Sequence, residues 1–233
     1  MNKLFSTLAV VALSALSLNA QIKEGIITYA MTMEGLPPEQ AAMIGDMELK
    51  STFKNTMVLT EMSSMMFTNQ TLVDDKGMVM LMEQMGNKIA VKQTKEEMEK
   101  EEAKQKEKPA DPKIEYTTET KTIAGYECKK AIVTMVGKDK KEEKMEIWYS
   151  DKFENLNKEG KGRGQSFMKG LKGVPFEYSG AQGPMKFKMV AKEVSIEPVA
   201  DSKFELSTEG YKMMTMDELK AMQGGKIISL LNY

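Results

Sequence analysis

The sequence predicts a mainly β, antiparallel domain, on three observations. Short segments alternate apolar and polar residues with a period of two along most of the chain. Turn-forming residues separate these segments at short intervals. Stretches with helical character are few and short. An alternating strand buries one face and wets the other, the usual pattern of antiparallel sheets.

The elements follow in chain order. Asn2-Lys3 precedes an uncharged run from Leu4 to Leu18, and Asn19-Ala20 closes it. This order is that of an export signal, with cleavage expected after Ala20 and, as the alternative, after Ser17. The run falls short of the roughly 20 residues that a membrane span needs. The expected mature protein is therefore exported, to the periplasm or beyond the cell, as one β domain over 21–233. No later stretch approaches spanning length, so no transmembrane segment is expected in it.

Gly25 to Met33 reads as the first strand. Pro38 to Ile44 reads as a short helix, with proline in its first turn and Gly45 as its cap. From Leu49 to Leu59 the odd positions Leu49, Phe53, Met57 and Leu59 are apolar, while Lys50, Thr52, Lys54 and Thr56 are polar. That run predicts one buried and one wet face. Asp74-Asp75-Lys76-Gly77 predicts a hairpin turn into Met78–Met82, and Gly86-Asn87 the next turn into Lys88–Gln93. Lys92 to Lys108 is a charge run whose only apolar residues are Met98 and Ala103. Glu96/Lys100 and Glu102/Lys106 are favourable helical pairs. This charged insertion, at about 92–113, reads as a solvated helix or flexible spacer within the domain.

Ile114–Ile123 and Tyr126–Val136 read as strands around an Ala124-Gly125 turn. Met145–Ser150 returns, with Met145, Ile147 and Tyr149 on one face and Trp148 on the other. Lys158 to Gly164 is a polar loop that matches neither phosphate-binding glycine pattern, and Ser166–Leu171 suggests a short helix. Val174–Tyr178 and Met185–Ile196 are further strands, the second long enough to need a bend. Met216–Met222 closes the series as a short helix with Asp217 and Glu218 in its first turn.

Composition removes several chemistries. With 33 basic and 34 acidic residues there is no electrostatic case for nucleic acid. Cys128 is the only cysteine, so no internal disulfide forms, and its strand position predicts a buried, inert thiol. The chain has 0 histidines. That excludes Ser-His-Asp and Cys-His catalysis, imidazole metal sites and the usual general base near neutral pH. Carboxylate catalysis survives the count, but no spacing singles out a pair. The expectation is a non-enzyme with no cofactor.

Methionine is the unusual investment, with 23 in the chain. Met78, Met80 and Met82 share one strand face, with Val79 and Leu81 on the other. Three accounts stand open. Methionine fills irregular core gaps. It also builds adaptable apolar surfaces that refit around varied ligands. Finally, the Met-x-Met spacings at Met31/Met33, Met78/Met80/Met82 and Met214/Met216 suit thioether binding of Cu(I).

Five passages carry a family resemblance. They are Lys121-Thr-Ile-Ala-Gly-Tyr-Glu-Cys-Lys-Lys-Ala131, Ile147-Trp-Tyr-Ser-Asp151 and Gly173-Val-Pro-Phe-Glu177, with Tyr29-Ala-Met-Thr-Met-Glu-Gly35 and Met214-Thr-Met-Asp-Glu-Leu219. Together they resemble an exported bacterial domain-of-unknown-function family, the 4412 type. That family is in turn similar to the LolA-like and LolB-like periplasmic lipoprotein carriers. The resemblance implies an incomplete antiparallel half-barrel whose short helices cover a concave, acyl-binding face. It makes Phe53, Met57, Leu59, Met78, Met80, Met82, Met185, Phe187 and Met189 the expected ligand lining, chosen by alternation. Ala41, Ile44, Leu219 and Met222 become the expected lid residues. The implied partners are a lipid or acyl chain, an acylated protein, or another envelope protein, with no metal ligands assigned. An interaction module with a filled core and a Cu(I) binder are the alternatives.

Overall fold

The computed structural model describes residues 21–37, 39, 47–65, 67–104, 110–136, 142–158, 166–182 and 185–223. The export signal expected at 1–20, the helix expected at Pro38–Ile44 with Ala41 and Ile44, and the glycine-rich loop at 160–164 lie outside the described residues.

The described strands are β1 (Glu24–Glu34), β2 (Met47–Lys54), β3 (Met57–Ser63), β4 (Phe67–Asp74), β5 (Gly77–Gln84) and β6 (Asn87–Thr94). After helix α1 (Lys95–Lys104) come β7 (Lys113–Ile123), β8 (Tyr126–Val136), β9 (Glu142–Ser150), β10 (Val174–Gln182) and β11 (Met185–Ser195). Strand β12 (Lys212–Met214) and helix α2 (Met216–Gln223) end the series. All twelve strands form one sheet in the order β12-β6-β5-β4-β3-β2-β1-β11-β10-β9-β8-β7. Neighbours are antiparallel, except that β12 runs parallel to β6. The sheet is open, with β12 and β7 as its edges. At the β7 end it curls, because β7 returns to within 8 Å of β11 between Cα atoms. The mainly β, antiparallel architecture is thus the one the alternation predicts, and its open sheet is what the resemblance implies.

Local chemistry explains the hairpins. The Asp74 carboxylate accepts hydrogen bonds from the backbone N–H groups of Lys76 (2.8 Å) and Gly77 (3.0 Å), which fixes the predicted turn. Left-handed residues close three other hairpins: Asn55 (φ 53°), Met85-Gly86 (48° and 81°) and Ala124-Gly125 (47° and 82°). Of the three leading residues, only asparagine is a side chain such turns favour. Methionine and alanine accept a conformation that costs about 1 kcal/mol. The turn after β5 is therefore Met85-Gly86, one residue earlier than Gly86-Asn87, since Gln84 pairs with Asn87.

One expected strand is two. The Leu49–Leu59 run breaks at Asn55-Thr56, and Lys54 pairs with Met57 across a two-residue turn. Such a turn inverts the parity of the pattern, so Phe53 sits opposite Val58. Met57 and Leu59 consequently lie on the other face of the sheet from Phe53.

Both faces are covered. On the first, Ile27, Tyr29 and Met31 of β1 pack with Met47 and Phe53 of β2 and with Phe187 and Met189 of β11. On the second, Leu59 and Leu72 pack with Val199 and with Phe204, the last residue of a 3₁₀ turn at Asp201–Phe204. Each such side chain contributes about 1.5–3 kcal/mol on burial. The bend expected in the last long strand is a register shift opposite Thr28/Tyr29.

The described part of the charged run forms α1 and is tied down, while the expected Glu102/Lys106 pair lies outside the described side chains. A reciprocal capping box starts it: Thr94 N–H donates to the Glu97 carboxylate (2.8 Å), and Glu97 N–H donates to Thr94 Oγ1 (3.2 Å). Thr215 and Glu218 start α2 with the same pair of bonds. Gln93 donates to Glu101 (2.9 Å), and Glu101 forms an ion pair with Lys220 of α2. The Glu96/Lys100 pair forms at 2.9 Å as expected. Cys128 is fully buried, and burial pushes its thiol up to about 12.

Candidate functional site

The structure does not gather the nine expected lining residues around one cavity. Phe53 (5% exposed) and Met189 (2%) belong to the central core. The Met189 sulfur accepts a hydrogen bond from the Tyr178 hydroxyl at 2.9 Å. Met57 and Leu59 pack on the opposite face, for the parity reason above. Met78, Met80 and Met82 do share a face, opposite Val73, Thr71 and Asn69 of β4. Met82 is buried there and Met80 half-buried, under Leu219 of α2. Leu219 packs over this apolar patch, and Met222 is 50% exposed. Met185 lies in β11, and its side chain is outside the described ones.

The open space lies elsewhere, at one end of the sheet. A cleft of about 560 Å³ opens where the last residues of β1, β8 and β10 meet the first residues of β9 and β11. Among the described side chains, Phe187 is the one expected lining residue that borders it. Met135 and Met145, both half-buried, join Phe187 as its apolar floor. Gly180 sits under that floor. A Cβ there would come within 2.4 Å of the Phe187 ring, so the missing side chain lets the ring lie flat against β10. Lys144, Lys186 and Lys188 rim the cleft together with Glu34 and Glu143. An apolar floor beneath a charged rim fits an amphiphilic ligand.

Alternation marked Met145 as a strand residue, and nothing local marked it as lining. The cleft joins strands more than 100 positions apart in sequence, from Thr32 to Met135, so only the register brings them together.

A second, smaller cleft of about 290 Å³ lies beside Trp148, Glu177 and Ser179. Trp148 is half-buried, and the Lys121 ammonium stands 4.2 Å from its ring centroid. Lys121 also bonds Glu177 at 2.6 Å, and Lys188 reaches the same carboxylate at 3.0 Å. This cluster ties edge strand β7 to β10 and β11. Burial pushes the Glu177 carboxyl up, but the two lysine hydrogen bonds outweigh it and hold the group below its ordinary value.

The direction of that shift gives a pH prediction. A carboxyl lowered on folding stabilises the protein above its unfolded value of about 4.3. Its contribution is lost as the pH falls through the lower folded value. Urea midpoints of the wild type and Glu177→Gln, measured at about pH 7 and about pH 3.5, should converge in acid. An equal gap at both pH values would show that the carboxylate is not coupled to folding.

No family model matches the chain, and no curated protein matches it. Among solved structures it is similar to PNGF-II, with a TM-score of 0.42 and 15% identity, over 86% of this chain and 33% of that one. The chain thus spans about a third of the PNGF-II chain. It is also similar to the lipoprotein LppX of Mycobacterium tuberculosis, with a TM-score of 0.39 and 9% identity, over 76% of this chain and 89% of that one. At TM-scores this low neither likeness carries an argument about ligand or activity. Among the described residues, no helix is long and apolar enough to cross a membrane.

Proposed function

We propose that this protein is a non-catalytic binding protein of the cell envelope that holds one chain of a lipid or acylated protein in the end cleft. The observation that carries the reading is the cleft itself: a space of about 560 Å³ with Phe187, Met135 and Met145 as floor and lysines and glutamates as rim. The volume falls in the range of ordinary small-molecule sites. Eight methylenes buried there would contribute about 6 kcal/mol before the cost of ordering the chain. Methionine suits such a floor because it refits around chains of different length. The export signal, the lack of histidine and the carrier resemblance support the same reading.

Displacement of a fluorescent fatty-acid probe tests it. Wild-type protein should bind the probe, and Met145→Glu should weaken binding tenfold or more, about 1.4 kcal/mol. Protein that never takes up the probe would overturn the reading.

One observation favours a second reading. Met82 and Met189 are packed inside filled clusters, as in an interaction module that uses methionine only for its core. Probe binding separates the two.

A further inference from the structure

We propose that two neighbouring hairpin tips, carrying Met65 and Met85, dock this protein on the surface of a phospholipid bilayer beside the mouth of the cleft. This deepens the binding reading and rests on it for the choice of occupant.

Met65 and Met85 are the most exposed large hydrophobic side chains among the described residues, at 81% and 78%. A single exposed methionine needs no explanation. These two stand together. Met65 lies in the connection between β3 and β4, and Met85 in the turn between β5 and β6. Because Phe67 pairs with Gln84, the two tips end at the same level. They are two strand spacings, roughly 10 Å, apart. Met85 is held at φ 48°, a conformation that asparagine or glycine adopts more readily. The turn carries an apolar side chain where a polar one would fit the backbone better and hydrate better. A local misfit of this kind points to use.

The two tips are neutral, which suits a lipid surface, while the charged rim of the cleft at the same end, Glu34, Glu143, Lys144, Lys186 and Lys188, would stay at the level of the headgroups. Residues 63–68 read Ser-Ser-Met-Met-Phe-Thr and residues 84–87 read Gln-Met-Gly-Asn, with no charge, in a chain that is 29% charged. The first charges inward of the β5–β6 tip, Glu83 and Lys88, pair at 3.1 Å. Hydrocarbon penalises any unpaired charge that enters it, so a neutral tip suits insertion. The strand directions also put the cleft at this same end, where Glu34, Met135 and Lys186 border it. Val136, 44% exposed, ends β8 on that side. A bilayer meeting this end would offer its acyl chains to the cleft without a passage through water.

Co-sedimentation with phosphatidylcholine vesicles tests the proposal, using protein exported and processed by its own host. Wild-type protein should sediment with the vesicles. Met65→Ser combined with Met85→Asn should lower the partition roughly tenfold. Met85→Asn alone should leave the thermal midpoint unchanged or raised, since asparagine prefers that turn position. Unchanged vesicle binding in the double variant would overturn the proposal, and so would a wild type that ignores vesicles. Fatty-acid displacement in vesicle-free solution reports on the cleft separately. The double variant should retain it, so loss of docking and failure of the binding reading give different results.

Discussion

Gly173→Ala should abolish folding or lower stability by more than about 4 kcal/mol, the range reserved for severe, specific defects. A Cβ at Gly173 would lie 2.1 Å from the Ser150 carbonyl oxygen and 2.9 Å from the Asp151 Cα. Both are backbone atoms, of the last residue of β9 and of the turn residue after it, and Val174 pairs with Ser150 directly beside them. Nothing there is a flexible side-chain end that can move aside. Gly125→Ala is the control. It has a left-handed φ of 82°, but its Cβ would meet nothing within 4 Å. It should cost only about 1 kcal/mol, from conformation alone. Urea midpoints and the soluble yield of the two variants check the contrast. Equal effects would show that crowding at Gly173 is not the cause.

Phe153→Ala should cost about 3–5 kcal/mol, as expected for a fully buried ring. Phe153 is 0% exposed and lies at the centre of a ring cluster. Its centroid is 6.1 Å from Phe53, 4.9 Å from Tyr126 and 5.3 Å from Phe176. The backbone beside it also holds the first described residues: Ile22 N–H donates to the Lys152 carbonyl (2.7 Å), and Glu154 N–H donates to the Ile22 carbonyl (3.0 Å). The variant should therefore lower the thermal midpoint and also speed amide exchange at Ile22 and Glu154. Loss of stability with unchanged exchange at those amides would separate the core from the N-terminal tie.

Sequence periodicity revealed strands wherever a turn announced itself chemically. Asp74 and Gly77 bracket a turn of the expected kind, and Ala124-Gly125 marks another. It failed at Asn55-Thr56, which lacks glycine and sits inside an unbroken alternation, so two strands read as one. That slip moved Met57 and Leu59 to the wrong face. The short β12 was not legible, since three residues that pair only at one edge leave no period to read. The capping boxes were legible and were missed: Thr94-x-x-Glu97 and Thr215-x-x-Glu218 stand in the sequence as written. The cleft was not legible, because its floor takes Met135, Met145 and Phe187 from three strands whose register no local pattern encodes.

The place of β1 has a consequence in time. Among the described strands it is the first in the chain, yet it lies in the middle of the sheet between β2 and β11. One partner follows at once, but the other begins at Met185. The central seam therefore closes only after most of the chain exists. Such long-range pairing folds slowly, in milliseconds to seconds for β proteins. For the envelope protein proposed above, passage through a narrow channel would need the chain to stay unfolded until it arrives. Placing β1 beside β11 delays completion of the sheet by topology alone.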